Sequence, residues 1–135
     1  MNLSVSAILL YSIVAAAISV YLPFLLVAYA RAKVGYDTSA PRAMFDQLPD
    51  YAKRATWSHQ NGFETFMIYS AAALMAYVTG VSSSLAANCA IAFVILRLLF
   101  SLFYITNVPI ARSLMFGLGS LCTYTLFGLS LIKIQ

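Results

Sequence analysis

The stretch that decides the fold is residues 65–96, TFMIYSAAALMAYVTGVSSSLAANCAIAFVIL, which contains no charged side chain. A membrane-spanning helix needs about 20 predominantly apolar residues. The stretch is therefore long enough for two shortish spans if Thr79-Gly80-Val81-Ser82-Ser83-Ser84 forms the turn between them, because clusters of Gly and Ser interrupt helices. The sequence predicts two consecutive membrane helices here.

The composition of the whole chain agrees with a membrane protein. Of its 135 residues, 62% are hydrophobic and 9% are charged, and the mean hydropathy is +0.87. Soluble domains are nearer half apolar and a quarter charged. The cations cluster beside apolar spans, so membrane topology accounts for the net charge of +4 and argues against a nucleic-acid partner. Cys89 and Cys122 lie in apolar runs and are interpreted as reduced packing residues.

Working outward gives four spans in a single all-α membrane domain covering residues 1–135. No charge precedes Arg31, and the missing basic segment at the start argues against a cleaved signal peptide. Pro23 is expected to kink the first span or to be tolerated within it. A polar loop is expected from Arg31 to Lys53, and Asn107-Val108-Pro109 interrupts the chain before the last span. The predicted spans are 3–30, 58–77, 85–105 and 114–132.

The distribution of cations predicts the orientation. Five of the eight Lys and Arg residues lie between residues 31 and 54, and Arg112 lies in the third connection. By the positive-inside rule these two connections are cytoplasmic, and both chain ends lie outside.

Three groups of polar residues converge on the predicted cytoplasmic helix ends. At 100° per residue, Arg54 and Asn61 are almost eclipsed and Glu64 is about 80° away, so one helical face carries a cation, an amide and an anion. His59 falls on the other side, and the sequence has no second His or Cys at ligand spacing, so no metal site is expected. Charged groups are costly in a bilayer, which makes the face a candidate functional site.

The other two groups lie on the third and fourth spans. Arg97 and Tyr104, seven residues apart, share a face, and Arg112-Ser113 opens the last span. Arg31 leaves the first span at the same depth. Arginine forks bind carboxylates, a carboxylate binds an ammonium, and hydroxyls bond an oxyanion or thiolate. The set suits a small zwitterion with more than one carboxylate, bound in a cleft that apolar substrates reach from the lipid.

These motifs resemble the family of membrane-associated proteins in eicosanoid and glutathione metabolism (MAPEG), which includes microsomal glutathione transferases. The likeness covers nearly the whole chain in size, number of spans and motif order. It implies a four-helix protomer, a homotrimer, and glutathione as co-substrate, bound between protomers near the cytoplasmic face. It further implies a transferase or peroxidase acting on lipophilic electrophiles or lipid hydroperoxides.

The resemblance also implies roles for individual residues. Arg112, Ser113 and Tyr104 are expected to be catalytic, with Arg112 and Ser113 as the thiol-activating groups. One departure is that eicosanoid-handling members often have a second arginine three or four residues before the motif asparagine, where this chain has Trp57 and Ser58. The residues expected to bind glutathione are Arg31, Arg54, Asn61, Glu64, Arg97 and Tyr104.

The same residues also have structural interpretations. The alternative for Arg54 is a snorkelling anchor at a helix end, and the alternative for Arg112 is a positive-inside charge. Arg97 paired with Glu64 would be a purely structural ion pair. The protein as a whole has two further readings. One is a non-catalytic lipid-binding or scaffold member of the same architecture, and the other is a small transporter, although no inverted repeat is present.

Overall fold

The structure, a computed structural model, describes residues 3–135 and consists of four long helices. They are α1 (Val5–Val34), α2 (Asp50–Val78), α3 (Ser84–Ile105) and α4 (Pro109–Lys133), with a short 3-10 helix (Ala43–Gln47) between α1 and α2. No strand occurs within the described residues. The predicted all-helical fold is confirmed.

Local chemistry explains where the helices begin and end. The side chains of Ser4 and Ser83 cap α1 and α3 by accepting hydrogen bonds from backbone N–H groups three residues ahead, each at 3.2 Å. Gly35 ends α1 with φ of 93°, a left-handed conformation that glycine adopts without steric cost. Pro23 lies inside α1 without ending it.

Two connections are shorter than the sequence predicted. The predicted polar loop of residues 31–53 shrinks to residues 35–49, because α1 continues past Arg31 and α2 already begins at Asp50. α4 likewise begins at Pro109 and not near residue 114. Proline favours the first helical position, where its missing N–H leaves no hydrogen bond unmade. Polar composition therefore placed the connections correctly but overestimated their length.

The helices form a bundle in which α1 and α4 occupy opposite corners. α3 packs against both α1 and α4, and α2 contacts all three other helices. Successive helices alternate in direction, which produces two ends. The loop end contains residues 35–49 and the α3–α4 connection, and the turn end contains residues 79–83.

Small residues allow the helices to approach closely in the half of the bundle nearer the turn end. Tyr69 of α2 is the largest fully buried side chain, and its ring stacks on Phe93 of α3 with centroids 3.7 Å apart. Its hydroxyl hydrogen-bonds Ser12 of α1. Close approach between small residues is the usual basis of helix packing in membranes. The fully buried alanines in this cluster are Ala72, Ala73, Ala76, Ala86 and Ala90.

Three helices within the described residues, α1, α3 and α4, are long and apolar enough to cross a membrane. α2 is 29 residues long, but Asn61 and Glu64 fall near its middle, so its first half is polar. Many large apolar side chains on α1 and α4 remain exposed, as expected for helices that face lipid. The polar half of α2 therefore lies at the loop end, among apolar neighbours.

Adjacent alanines on α2 offer a direct test of this packing. Ala72 is fully buried in the central cluster, whereas Ala71 is exposed. We expect Ala72→Leu to lower the free energy of unfolding by about 1–3 kcal/mol, because the added side chain overpacks the core. Thermal unfolding in detergent measures the effect, with Ala71→Leu as the matched control. Equal destabilisation by both changes would contradict the packing described here.

Candidate functional site

The candidate site is built around a hydrogen-bonded chain that joins α3 to α2. Arg97 Nη2 donates to Asn61 Oδ1 at 3.0 Å, and Asn61 Nδ2 lies 3.4 Å from Glu64 Oε2. Asn61 and Glu64 are one helical turn apart, the spacing at which side chains on a helix meet. The order is therefore cation, amide, anion, with Asn61 between the two charges.

Arg97 is buried, whereas Glu64 is exposed. The Arg97 side chain is 5% accessible, and its guanidinium carbon lies 4.1 Å from the centre of the Phe100 ring. A guanidinium has five N–H donors in a fixed fork, and the contact with Asn61 uses one of them. The structural alternative of a direct Arg97–Glu64 pair is not realised, because Arg97 bonds the neutral amide instead.

A small cavity between the helices adjoins Arg97. It has a volume of about 80 Å³ and lies between α2, α3 and α4, with Thr65, Ser120 and Tyr124 among its lining residues. Hydroxyl groups and a guanidinium thus face a space that is otherwise walled by apolar side chains. Such a combination of apolar walls and a few polar groups is typical of small-molecule sites.

Tyr104 and Arg112 meet at the loop end. The guanidinium carbon of Arg112 lies 4.5 Å from the centre of the Tyr104 ring, within cation–π distance. Arg112 belongs to the first turn of α4, where unpaired N–H groups add a partial positive charge. Ser113 follows it and is exposed. Two sources of positive potential therefore coincide at this helix start.

Arg54 has a defined contact at the same end of α3. Its Nε donates to the carbonyl oxygen of Ile105, the last residue of α3, at 2.9 Å. A cation at a helix C-terminus pairs with unsatisfied carbonyls and with the negative end of the helix dipole. Arg54 therefore ties α2 to α3, and its Nη groups are not engaged by this contact.

Arg31 is not brought to the other site residues within one chain. It lines a cavity of about 540 Å³ on the α1 side of α2, together with Arg42, His59 and Gln60. Arg97 contacts the opposite side of α2, so a single chain does not bring all the arginines into one cleft. Helical spacing gave the angles around α2, but it could not say on which side α1 packs.

The α1-side cavity contains a polar atom that lacks a partner. Arg31 Nε is buried without a hydrogen-bond partner among the described residues, and the Arg31 guanidinium carbon lies 5.8 Å from the Phe24 ring centre. His59 Nδ1 lies 2.6 Å from the carbonyl oxygen of Val20, which turns the imidazole toward α1. The cavity is thus strongly cationic and aromatic.

Sequence reasoning missed Arg42 and the Ser58–Ser101 pair. Arg42 joins the α1-side cavity only through the path of the loop, which no spacing rule indicates. Ser58 donates to Ser101 at 3.0 Å and links α2 to α3 beside Arg97. Ser58 lies seven residues before Thr65, and Ser101 lies four residues after Arg97. These offsets were a usable signal, because residues i and i+4 or i+7 lie on one helical face.

Comparison with known proteins identifies the family to which the chain belongs. No curated protein and no solved structure matches the chain. The sequence model of the MAPEG family matches residues 8–132, which include all four helices except their outermost residues and every candidate site residue named above. Since the match spans nearly the whole chain, and since the apolar helices and bundle architecture agree with it, this membrane protein belongs to the MAPEG family.

Proposed function

We propose that the protein is a glutathione-dependent transferase or peroxidase that acts on lipophilic electrophiles or lipid hydroperoxides. Family membership supports a role in glutathione or eicosanoid metabolism in general terms. The finer assignment draws on the arrangement of charges at the loop end. Glutathione is a small acidic zwitterion with two carboxylates, an ammonium and a thiol.

The observation that carries the proposal is the burial of Arg97 beside a neutral hydrogen-bond partner. Arg97 is buried and bonded to the neutral Asn61, so its positive charge is not cancelled by that contact. A buried cation costs free energy unless it is paired, which favours a site that awaits an anion. Glu64, exposed one helical turn from Asn61, is available for the ammonium group.

The proposed chemistry is stabilisation of a thiolate. A free thiol has a pKa of about 8.5, and neighbouring cations lower it. Arg112 and the start of α4 supply positive potential at one place, and Ser113 and Tyr104 supply hydroxyls. The thiolate sulfur attacks an electrophilic carbon and displaces its leaving group, or attacks the outer oxygen of a lipid hydroperoxide, with binding supplying proximity. In the second case the O–O bond breaks, the alkoxide takes up a proton and leaves as an alcohol, and a second glutathione converts the resulting sulfenic acid to a disulfide and water.

The proposed assembly is a homotrimer with glutathione bound between protomers. The two cationic faces of α2 support it, because Arg31 lies on the side opposite Arg97. Contact between these faces in neighbouring copies would gather the arginines that one chain keeps apart. By the positive-inside rule, we propose that the loop end faces the cytoplasm.

A second candidate is a non-catalytic lipid-binding or scaffold protein of the same architecture. One observation favours it, because the Arg112 guanidinium already has a partner within the chain, the Tyr104 ring, whose centre lies 4.5 Å away. A scaffold of this kind would retain glutathione binding without turnover.

The deciding experiment is an activity assay on purified protein in detergent. Glutathione is supplied with either 1-chloro-2,4-dinitrobenzene or cumene hydroperoxide, and conjugate or oxidised glutathione is measured. We expect turnover with at least one of them. A folded trimer that binds glutathione but turns over neither would favour the scaffold, and a folded trimer that binds none would overturn both candidates.

Glu64 provides a separate test of ligand orientation. We expect Glu64→Gln to weaken glutathione binding by up to about fivefold, because an exposed ion pair contributes about 0.2–1 kcal/mol. The turnover number should stay near that of the wild type. Calorimetry and steady-state kinetics separate the two effects, and Asp50→Asn, an exposed acid at the start of the same helix, is the matched control. A fall in turnover without a loss of affinity would contradict this role.

A further inference from the structure

A second pair of reactive groups lies far from the loop end, where α3 packs against α4. The two helices run antiparallel, and their contacts have a regular register. Tyr104 meets Arg112, Phe100 lies 6.2 Å from Phe116 between ring centres, and Phe93 is the side chain nearest to Gly119. Continuing this register by one helical turn toward the turn end brings Cys89 opposite Cys122.

The contacts agree with this register. Tyr69 and Cys89 belong to the central cluster and Cys122 packs against it, so both cysteines face the same buried region between α3 and α4. Cys89 is buried in the central cluster, whereas Cys122 is only partly buried at its edge. Within the described residues, no group of three His, Cys, Asp or Glu side chains could hold a metal ion. The geometry therefore describes a dithiol and not part of a metal site.

We propose that Cys89 and Cys122 form a reversible dithiol–disulfide site within the membrane, with lipid hydroperoxides as the oxidant. A disulfide requires Cα atoms roughly 4.4–6.8 Å apart. Among the described residues, α3 and α4 make the most extensive contact of any pair of helices, which favours such a close approach. Lipid hydroperoxides partition into the phase that surrounds the partly exposed Cys122.

The reaction balances with one hydroperoxide for each disulfide. The sulfur of Cys122 attacks the outer peroxide oxygen, the O–O bond breaks, and the departing alkoxide takes the thiol proton to become an alcohol. Cys122 is then a sulfenic acid. The sulfur of Cys89 attacks it, the S–O bond breaks, and the leaving hydroxide takes the Cys89 proton as water. Two thiols are oxidised by two electrons and the peroxide is reduced.

Thiol counting on the full-length protein in liposomes tests the proposal. The protein is treated with cumene hydroperoxide without glutathione, quenched, and labelled in detergent with a maleimide-polyethylene glycol. We expect both cysteines to lose most of their label, to regain it after dithiothreitol, and to show an intact mass lower by two hydrogen atoms. Since glutathione is absent, this result is independent of the function proposed above.

Single substitutions provide the matched controls. In Cys89→Ser, Cys122 should stop at the sulfenic acid, which dimedone traps, and the loss of two hydrogen atoms should disappear. In Cys122→Ser, Cys89 should keep most of its label because it is buried. Full labelling of the treated wild type would overturn the proposal. So would equal loss of label in both single variants, or disulfides formed only between chains.

Discussion

Arg97→Ala is expected to weaken glutathione binding by roughly ten- to hundredfold, because a hydrogen bond to a charged group contributes about 1.5–3 kcal/mol. Arg97 is the buried cation of the network, and Asn61 would lose its donor as well. Calorimetric titration of the detergent-solubilised protein measures the change. Arg97→Lys should recover only part of the affinity, since an ammonium keeps the charge but not the planar fork.

A lower glutathione affinity of Arg97→Ala has two explanations, which must be distinguished. If the residue only stabilised the bundle, Arg97→Ala would unfold at a lower temperature, and its folded fraction would still bind glutathione normally. Under the proposed role, the loss of affinity persists in protein that remains folded by thermal unfolding and size-exclusion chromatography. Unchanged affinity in a folded Arg97→Ala protein would refute the role assigned to this arginine.

Arg112→Ala is expected to lower the turnover number by about 10²–10³-fold, the usual effect of removing one group that stabilises developing negative charge. Arg112 lies at the start of α4, where the helix dipole adds to its charge. The affinity for glutathione should change much less, because Arg97, Asn61 and Glu64 remain. Steady-state kinetics together with calorimetry distinguish these two quantities.

Lys133 supplies the matched control for Arg112. It is an exposed cation in the last turn of the same helix, at the opposite end of the bundle. Lys133→Ala should leave both turnover and affinity unchanged. If Arg112→Ala loses affinity and turnover in equal proportion, Arg112 binds glutathione but does not activate its thiol. If turnover does not fall at all, another group activates the thiol.

The fold was largely predictable because charge and hydropathy are properties of the sequence alone. The uncharged residues 65–96 required two helices and a turn, and the structure has α2, a turn at residues 79–83, and α3. The helix starts were less predictable. Pro109 was expected to interrupt the chain and Pro49 lies in the expected polar loop, yet each marks the start of a helix. Pro49 is the N-cap residue of α2, and Pro109 is the first residue of α4.

The candidate site was only partly predictable. Helical periodicity placed Asn61 and Glu64 together, and the structure adds Arg97 through a direct hydrogen bond. Periodicity describes angles around one helix and says nothing about which neighbour occupies each side. Arg31 and Arg42 therefore had no predictable position relative to Arg97. The proximity of Cys89 and Cys122 was hidden for the same reason, since it depends on how α3 and α4 are aligned.

The most direct test of whether the arginines form a glutathione site is a pair of calorimetric titrations. The wild-type protein is titrated with glutathione and, under identical conditions, with cysteamine. Cysteamine carries a thiol and an ammonium but neither carboxylate, so it cannot satisfy the arginines. We expect saturable heat with glutathione and none with cysteamine at the same concentrations. No saturable heat with glutathione, or indistinguishable binding of the two thiols, would contradict this expectation.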